Sequence, residues 1–379
     1  MEIVSLVSCE KYIYDEVYKA IEKNIEDIGG LEKYINKGEK VLLKVNLVMA
    51  KKAEFAVTTN PIYVKALANI LIDYGVEVYI GDSPGGPFSE TLLRSQYKLS
   101  GFREVEDTTA AKLLYNTNEF IKKNPDGLFL KSLTLIDMLN DVDKVISVSK
   151  LKTHGMMTFT GAVKNMFGIV PGTKKAEYHF KMPKYNDFAN ALIDICIVGN
   201  PVLSFMDGII GMEGDGPSSG TPRKVGVTIA SPSPYHLDKI AISLINLSFE
   251  DVPITSECIK RGIVTNDLND IILKGDIDAH KIDDFLIPET KLISFVDGKL
   301  PKPISNLINR TVQPKPIITK NKCVKCGVCK NSCPAKVINM DDGYPKIDLS
   351  KCIRCYCCQE LCPKHAVTVK RSLLLKLIK

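Results

Sequence analysis

Short apolar runs alternate with helical patterns from the start of the chain to about residue 250. VLLKVNL (41–47), VEVYIGD (76–82), KVISVSKL (144–151), PVLSFMDG (201–208) and KVGVTIAS (224–231) are short and almost uniformly apolar, so they read as buried strands. Between the first two the period changes. Val64, Leu67, Ile70, Leu71 and Tyr74 recur on one helical face. Asn60 supplies an N-cap, Pro61 the first helical position and Gly75 the residue after the last turn. Further helices are expected from about Tyr185 to Val198 and from Pro234 through Leu247. This alternation predicts an α/β domain over 1–284, a largely parallel sheet with helices on both faces. The strand order is not in the pattern. Pro288, Pro301, Pro303, Pro314 and Pro316, with Gly298, mark a connector over 285–317, wrapped over a surface.

The polar residues gather just past the strands. Ser149-Lys150-Leu151-Lys152-Thr153-His154-Gly155 follows the central run. If that strand stays extended, Lys150, Lys152 and His154 point to one side. Two lysines on one face of an interior strand are costly unless they meet a ligand, an acid or water. A helix capped near Thr158 or Thr160 is expected next, with Lys164 and Asn165 inside it and Gly168 at its end. Asp82-Ser83-Pro84-Gly85-Gly86-Pro87 follows a second strand, and Asp207 to Pro217 follows a third. Lys44 and Asn46 close the first strand. Open α/β sheets bind ligands beyond the strand C-termini. Lys44, Asn46, Asp82, Lys150, Lys152, His154, Lys164, Asn165, Asp207 and Glu213 are therefore expected on one rim, around a phosphate- or carboxylate-bearing molecule. The alternative is a solvated edge with a structural histidine. Asp207, Glu213 and Asp215 could bind a divalent cation through oxygens, or form a solvated acidic loop. His179, His236 and His280 lack metal-spaced partners and read as structural or exposed.

Composition adds a charge asymmetry. Residues 315–379 carry 12 Lys and 2 Arg against 4 acids, whereas the preceding 314 residues carry 36 bases against 40 acids. The basic C-terminal segment could seek an acidic partner or the acidic main domain. No basic and aromatic interleaving points to nucleic acid. The start MEIVSLVSCEKYIYDEVYK has no basic n-region, and the most apolar stretch is broken by Asp194, Asn200 and Pro201, so neither a signal peptide nor a membrane span is expected. The tail KRSLLLKLIK (370–379) reads as a terminal helix packed on the protein, with a membrane-surface contact as the alternative.

Eight of the twelve cysteines carry the clearest chemistry. Cys323, Cys326, Cys329 and Cys333-Pro334 form C-x2-C-x2-C-x3-C-P, and Cys352, Cys355, Cys358 and Cys362-Pro363 repeat it 29 residues later. This is the bacterial ferredoxin spacing, in which the fourth cysteine of each run ligates the other cluster. It predicts a ferredoxin domain over 318–369 with two 4Fe–4S clusters. Cys323, Cys326 and Cys329 with Cys362 would hold one; Cys352, Cys355 and Cys358 with Cys333 would hold the other. Zinc also uses paired C-x2-C, but does not need triple runs ending in x3-C-P. Free thiols and clusters, with no export signal, place the chain in a reducing cytoplasm. Cys357 is a spare beside a ligand, Cys9, Cys196 and Cys258 read as ordinary buried residues, and His365 could tune a cluster.

The stretches LLKVNL, TTNP, GDSPGGP, SKLKTHGMMTFTGAVKNMFGIVPG and DGIIGMEGDGPSSG resemble the uncharacterised Fe–S center proteins, the domain of unknown function family 362. In that family the first motif is usually Lys-Pro-Asn; here Val45 stands between Lys44 and Asn46. The resemblance implies a functional rim and supplies no reaction. Two functions follow. One is a redox enzyme in which two clusters relay single electrons to or from an anionic substrate held by Lys150, Lys152, His154 and Lys164, with His154 as proton donor. The other is an electron-transfer subunit or adaptor that docks a partner oxidoreductase without catalysis of its own. No Rossmann fingerprint supports a nicotinamide; a flavin stays open as an alternative without a motif in its favour.

Overall fold

The computed structural model describes residues 1–288, 314–341 and 343–370. Most of the expected connector (285–317) and nearly all of the tail (370–379) lie outside these residues. The main sheet is built from β1 (Glu2–Ser8), β2 (Lys40–Val45), β3 (Glu77–Gly81), β4 (Lys112–Leu113), β7 (Lys144–His154), β8 (Thr158–Thr160), β9 (Leu203–Glu213), β10 (Thr221–Ser231) and β11 (Ile271–Lys274). A separate hairpin joins β5 (Glu119–Lys123) to β6 (Ser132–Ile136). The sheet order is β11-β1-β10-β9-β7-β2-β3-β4, with β8 paired to β7.

The block β9-β7-β2-β3-β4 is parallel throughout. β10 is antiparallel to both β9 and β1. The reason is loop length: residues 214–220 are too few for a crossover, so the chain must turn back as a hairpin. β7 and β9 also run further than their apolar cores suggest, to His154 and Glu213. Their polar ends stay extended because they find ladder partners. Lys152, Thr153 and His154 pair with Thr160, Phe159 and Thr158 of β8.

Helices cover both faces. α1 (Tyr14–Asp27) packs on α2 (Pro61–Tyr74). In α2, Asn60 Oδ1 accepts from Ile62 N at 2.9 Å, and Gly75 ends the helix with φ 107°. α3 (Glu90–Ser100) and α4 (Phe102–Thr108) lie beside it in sequence. A second helical group holds α5 (Ala162–Asn165), α7 (Tyr185–Gly199), α8 (Pro234–Leu244) and α9 (Pro253–Lys260), and α6 (Gly172–Lys181) precedes α7. The larger core joins Leu42, Leu67, Ile146 and Leu192; a second holds Leu151, Met206, Val227 and Ile240 beneath α8.

The C-terminal module has two small antiparallel pairs. β12 (Lys315–Ile318) pairs with β15 (Val367–Lys370), and β13 (Ile338–Asp341) with β14 (Tyr344–Ile347). Its pairing therefore begins at Lys315, inside the stretch read as connector. Short helices at Val328–Asn331 and Cys357–Glu360 touch each other between these pairs.

Candidate functional site

Because β2, β3, β7 and β9 are parallel, their C-terminal ends meet on one edge, and the polar segments come with them. Lys44 is buried at the end of β2 and faces Asp82, past β3, with Nζ 3.0 Å from Oδ1. The same ammonium donates to Val45 O at 2.7 Å and to Asn165 Oδ1 at 3.2 Å. Asn165 returns a bond to Lys44 O at 2.8 Å. Asp82 Oδ2 accepts from Leu47 N at 2.6 Å. Gly168 covers this pair so closely that a Cβ there would stand 2.0 Å from Asp82 Oδ1 and 2.3 Å from Lys44 Nζ. Lys152 differs. Its buried Nζ donates to the neutral acceptors Asn46 Oδ1 (2.6 Å) and Val57 O (2.7 Å) and meets no carboxylate within salt-bridge distance among the described residues. Burial, then the neighbouring Lys164 charge, pushes its pKa well below the usual lysine range.

A cavity of about 330 Å³ opens above this floor. Lys44, Asn46, Asp82, Lys152, Lys164 and Asn165 all line it. So do Lys175 and His179, which are four residues apart on α6. Lys175 donates to Ser83 O in the cavity wall. Enclosure lowers its pKa to about 8, although part of the side chain is exposed. Lys164 is pulled down by burial, against the opposing charge of Glu360. His179 stacks on Phe188 at 4.4 Å between ring centroids, and burial lowers its pKa to about 3, so it is neutral. Two buried polar atoms of the wall, Thr160 Oγ1 and His179 Nδ1, have no hydrogen-bond partner among the described residues. Such atoms are costly to bury unless something meets them.

The remaining wall comes from the C-terminal module: Asn331, Ser332, Cys357, Glu360 and Leu361. The module is held there by several contacts. Ser218 donates to Glu360 O at 2.7 Å, and His365 bonds Ser219 at 2.8 Å and Lys51 at 3.0 Å. A Cβ on Gly85 would lie 2.8 Å from Leu361, so this glycine permits the close approach of the Pro84–Pro87 loop.

Four expected rim residues stand apart from the cavity lining. Lys150 pairs with Asp207 at 2.8 Å, both fully buried, and also bonds Tyr12 at 2.6 Å. Asp207 further accepts from Asn60 N at 2.9 Å, so this pair ties β7 and β9 to the start of α2. Glu213 accepts from Leu286 N at 3.1 Å and lies 3.9 Å from Arg223, whereas Asp207 is engaged by Lys150. His154 is buried behind the wall. Its Nδ1 accepts from Met156 N (3.0 Å) and Met157 N (3.1 Å), which puts the proton on Nε2, an atom with no partner among the described residues. Burial, followed by the Lys164 charge, drives its pKa well below the usual range. A neutral His154 is a fixed donor and a poor acid at neutral pH. The helix after the central strand also differs from expectation. It starts at Ala162, and its first N–H groups are taken by Asp238, which accepts from Ala162 N at 2.6 Å and Val163 N at 3.1 Å. They are not free for an anion. Sequence reasoning passed over Lys175 and read His179 as structural or exposed; their i, i+4 spacing on one helix was the available signal.

In the module, Cys323, Cys326, Cys329 and Cys362 line one small cavity of about 20 Å³. The Cys358 thiol is pushed up by burial and by its neighbours Cys355, Cys352, Cys333 and Cys329. The group around this cavity takes Cys362 from the other run, and all eight are free cysteines. A thiolate donor set of this kind fits an iron–sulfur cluster. Ser332 and Cys357 of the large cavity are the chain neighbours of Cys333 and Cys358 of the second group, and Leu361 is the chain neighbour of Cys362 of the first.

The fold and site define an α/β domain closed over by an iron–sulfur module. The chain belongs to the DUF362 family, a domain of unknown function, whose profile matches residues 41–243. Residues 315–363 match a 4Fe-4S dicluster domain, which supports an iron–sulfur electron-transfer role. The thylakoid-associated protein sll1697 of Synechocystis sp. is 31% identical over 251 residues, 66% of this chain and 76% of that relative. Among solved structures, the lactate racemase apoprotein from Thermoanaerobacterium thermosaccharolyticum aligns with a TM-score of 0.38 and 13% identity, covering 63% of this chain and 56% of that one. A Thermotoga maritima protein aligns at 0.36 and 12%, covering 60% and 57%. The chain spans less than two thirds of either structure's length, and neither likeness carries a functional argument. No helix among the described residues is long and apolar enough to cross a membrane.

Proposed function

We propose that this protein is an iron–sulfur oxidoreductase whose substrate is a small anion bound in the cavity between the α/β rim and the C-terminal module. The observation that carries the reading is the composition of that cavity. Lysines 152, 164 and 175 line one side, and residues adjacent to Cys333, Cys358 and Cys362 line the other. Two clusters, held by Cys323, Cys326, Cys329 and Cys362 and by Cys352, Cys355, Cys358 and Cys333, would supply or accept single electrons when bound.

The chain's own residues have distinct tasks. Lys164 and Lys175 attract and orient a carboxylate or phosphate group. Lys44 is neutralised by Asp82 and serves as floor, holding Asn165 in place. Lys152 fixes Asn46 and the Val57 backbone. Thr160 and His179 offer unpaired polar atoms to the substrate. Lys175, with a pKa of about 8, is charged at neutral pH yet gives up its proton readily, so it is the better acid than His154. Loop 82–87 and Leu361 exclude water from one side. An electron carrier without catalysis is the second reading, favoured by the exposed basic face of the module described below.

The test is to purify the protein anaerobically, release bound small molecules with acid and identify them by mass spectrometry. An anionic metabolite present with wild type and lost from Lys164→Ala, Lys175→Ala and the double variant, with iron content unchanged, supports the enzyme. No such molecule in wild type, together with a stable complex with an oxidoreductase, supports the carrier.

A further inference from the structure

The two cysteine groups differ in exposure. Both groups hold two buried cysteines, Cys355 and Cys358 in the second and Cys329 and Cys362 in the first, but only the first has an exposed member, Cys326, with Val324 nearby 56% exposed. Around this outer group the surface is strongly one-signed. Residues 319–340 contain five lysines, Lys320, Lys322, Lys325, Lys330 and Lys336, and no acid. All five are exposed. Tyr344 steadies two of them, with Lys325 Nζ 4.2 Å and Lys320 Nζ 5.6 Å from its ring centroid. The acids described in this module are Asp341, Asp348 and Glu360, and Glu360 faces the cavity. An oxidised four-thiolate cluster carries about −2, which leaves this face positive.

We propose that the face formed by Lys320, Lys322, Lys325 and Lys330 around exposed Cys326 is a docking surface for an acidic one-electron carrier protein. Complementary charge is what steers such encounters and fixes their orientation, and it does so through rim charges that surround an apolar centre. Here the centre is Val324, and the rim is the lysines. A carrier docked there meets Cys326, which does not line the large cavity, so substrate and carrier need not compete for one surface. The inference rests on the clusters of the proposed function and is independent of what the cavity binds.

The test uses the full, anaerobically reconstituted protein and a small acidic ferredoxin as probe, with no substrate present. Binding is measured by calorimetric titration at increasing salt, for wild type, Lys322→Glu/Lys325→Glu and the distant control Lys123→Glu. Iron content and visible absorbance verify that each variant keeps its module. The expected result is affinity that falls steeply with salt, falls at least about tenfold in the double variant, and is unchanged in the control. Affinity equal in all three proteins overturns the proposal. So does the absence of ferredoxin binding, or binding to vesicles of anionic phospholipid that the double variant loses while the ferredoxin stays unbound.

Discussion

Replacing Asp82 by Asn tests the floor of the cavity. Lys44 and Asp82 are both buried, and the carboxylate is the one acid within 4 Å of the Lys44 ammonium among the described residues. An asparagine keeps the volume and can still accept from Leu47 N, so the change removes charge and little else. A buried charge stripped of its partner costs about 3–5 kcal/mol. For a domain of this size each kcal/mol lowers the melting temperature by about 2 °C, which gives a fall of about 6–10 °C. Far-UV circular dichroism is the assay, since the chain has no Trp. The companion variant Lys44→Met/Asp82→Leu removes both charges and should recover most of the loss, because a buried pair is often replaceable by apolar residues. An Asp82→Asn protein melting within about 2 °C of wild type would refute the reasoning, and so would a double variant worse than the single one.

Lys175 has a folded-state pKa of about 8, below the unfolded value of about 10.4. Between these values the unfolded chain binds more protons, so this residue makes stability rise with pH through that window; below about pH 8 both states are protonated and its contribution stays flat at its least favourable value. Lys175→Met should flatten the alkaline slope in pH-dependent urea unfolding, and competitive acylation should label Lys175 at a lower pH than the exposed lysines. A slope unchanged by the substitution contradicts the enclosed environment described here. Cys333→Ser should lower iron from about eight to about four per chain and spare the cluster of Cys323, Cys326 and Cys329. Loss of that cluster in its place, read by electron paramagnetic resonance, would falsify the crossover. Gly168→Ala should destabilise at least as much as Asp82→Asn, since the added methyl takes the space of the same ion pair; a neutral effect in thermal melts would count against the packing described.

Much of the fold was legible because it rests on local chemistry. The helix from Pro61 to Tyr74 carried its own cap, its own proline and its own terminating glycine. The parallel block followed from apolar runs separated by helices. The antiparallel return of β10 was less visible, since it depends on the length of a loop and not on the strand's own pattern. The polar ends of β7 and β9 had no apolar alternation to mark them, and only their ladder partners make them strands. For the site, position after a strand was informative and charge was not. Lys44, Lys150 and Lys152 look alike in sequence, yet Asp82 neutralises the first, Asp207 the second, and the third meets only neutral acceptors. Such pairings are tertiary. Lys175 was missed, and His179 was read as structural or exposed, for a related reason: they lie on a helix that only the folded chain brings over the rim.

The central claim is that the cavity and the cysteine group containing Cys333 and Cys358 work together. Low-temperature electron paramagnetic resonance of the fully reduced protein tests it most directly, before and after the copurified small-molecule fraction is removed and added back. Cys333→Ser and Cys323→Ser identify which signal belongs to which group. The account predicts that adding the fraction alters the signal lost in Cys333→Ser and leaves the signal lost in Cys323→Ser unchanged. A change confined to the Cys323-dependent signal, or no change in either, would contradict it.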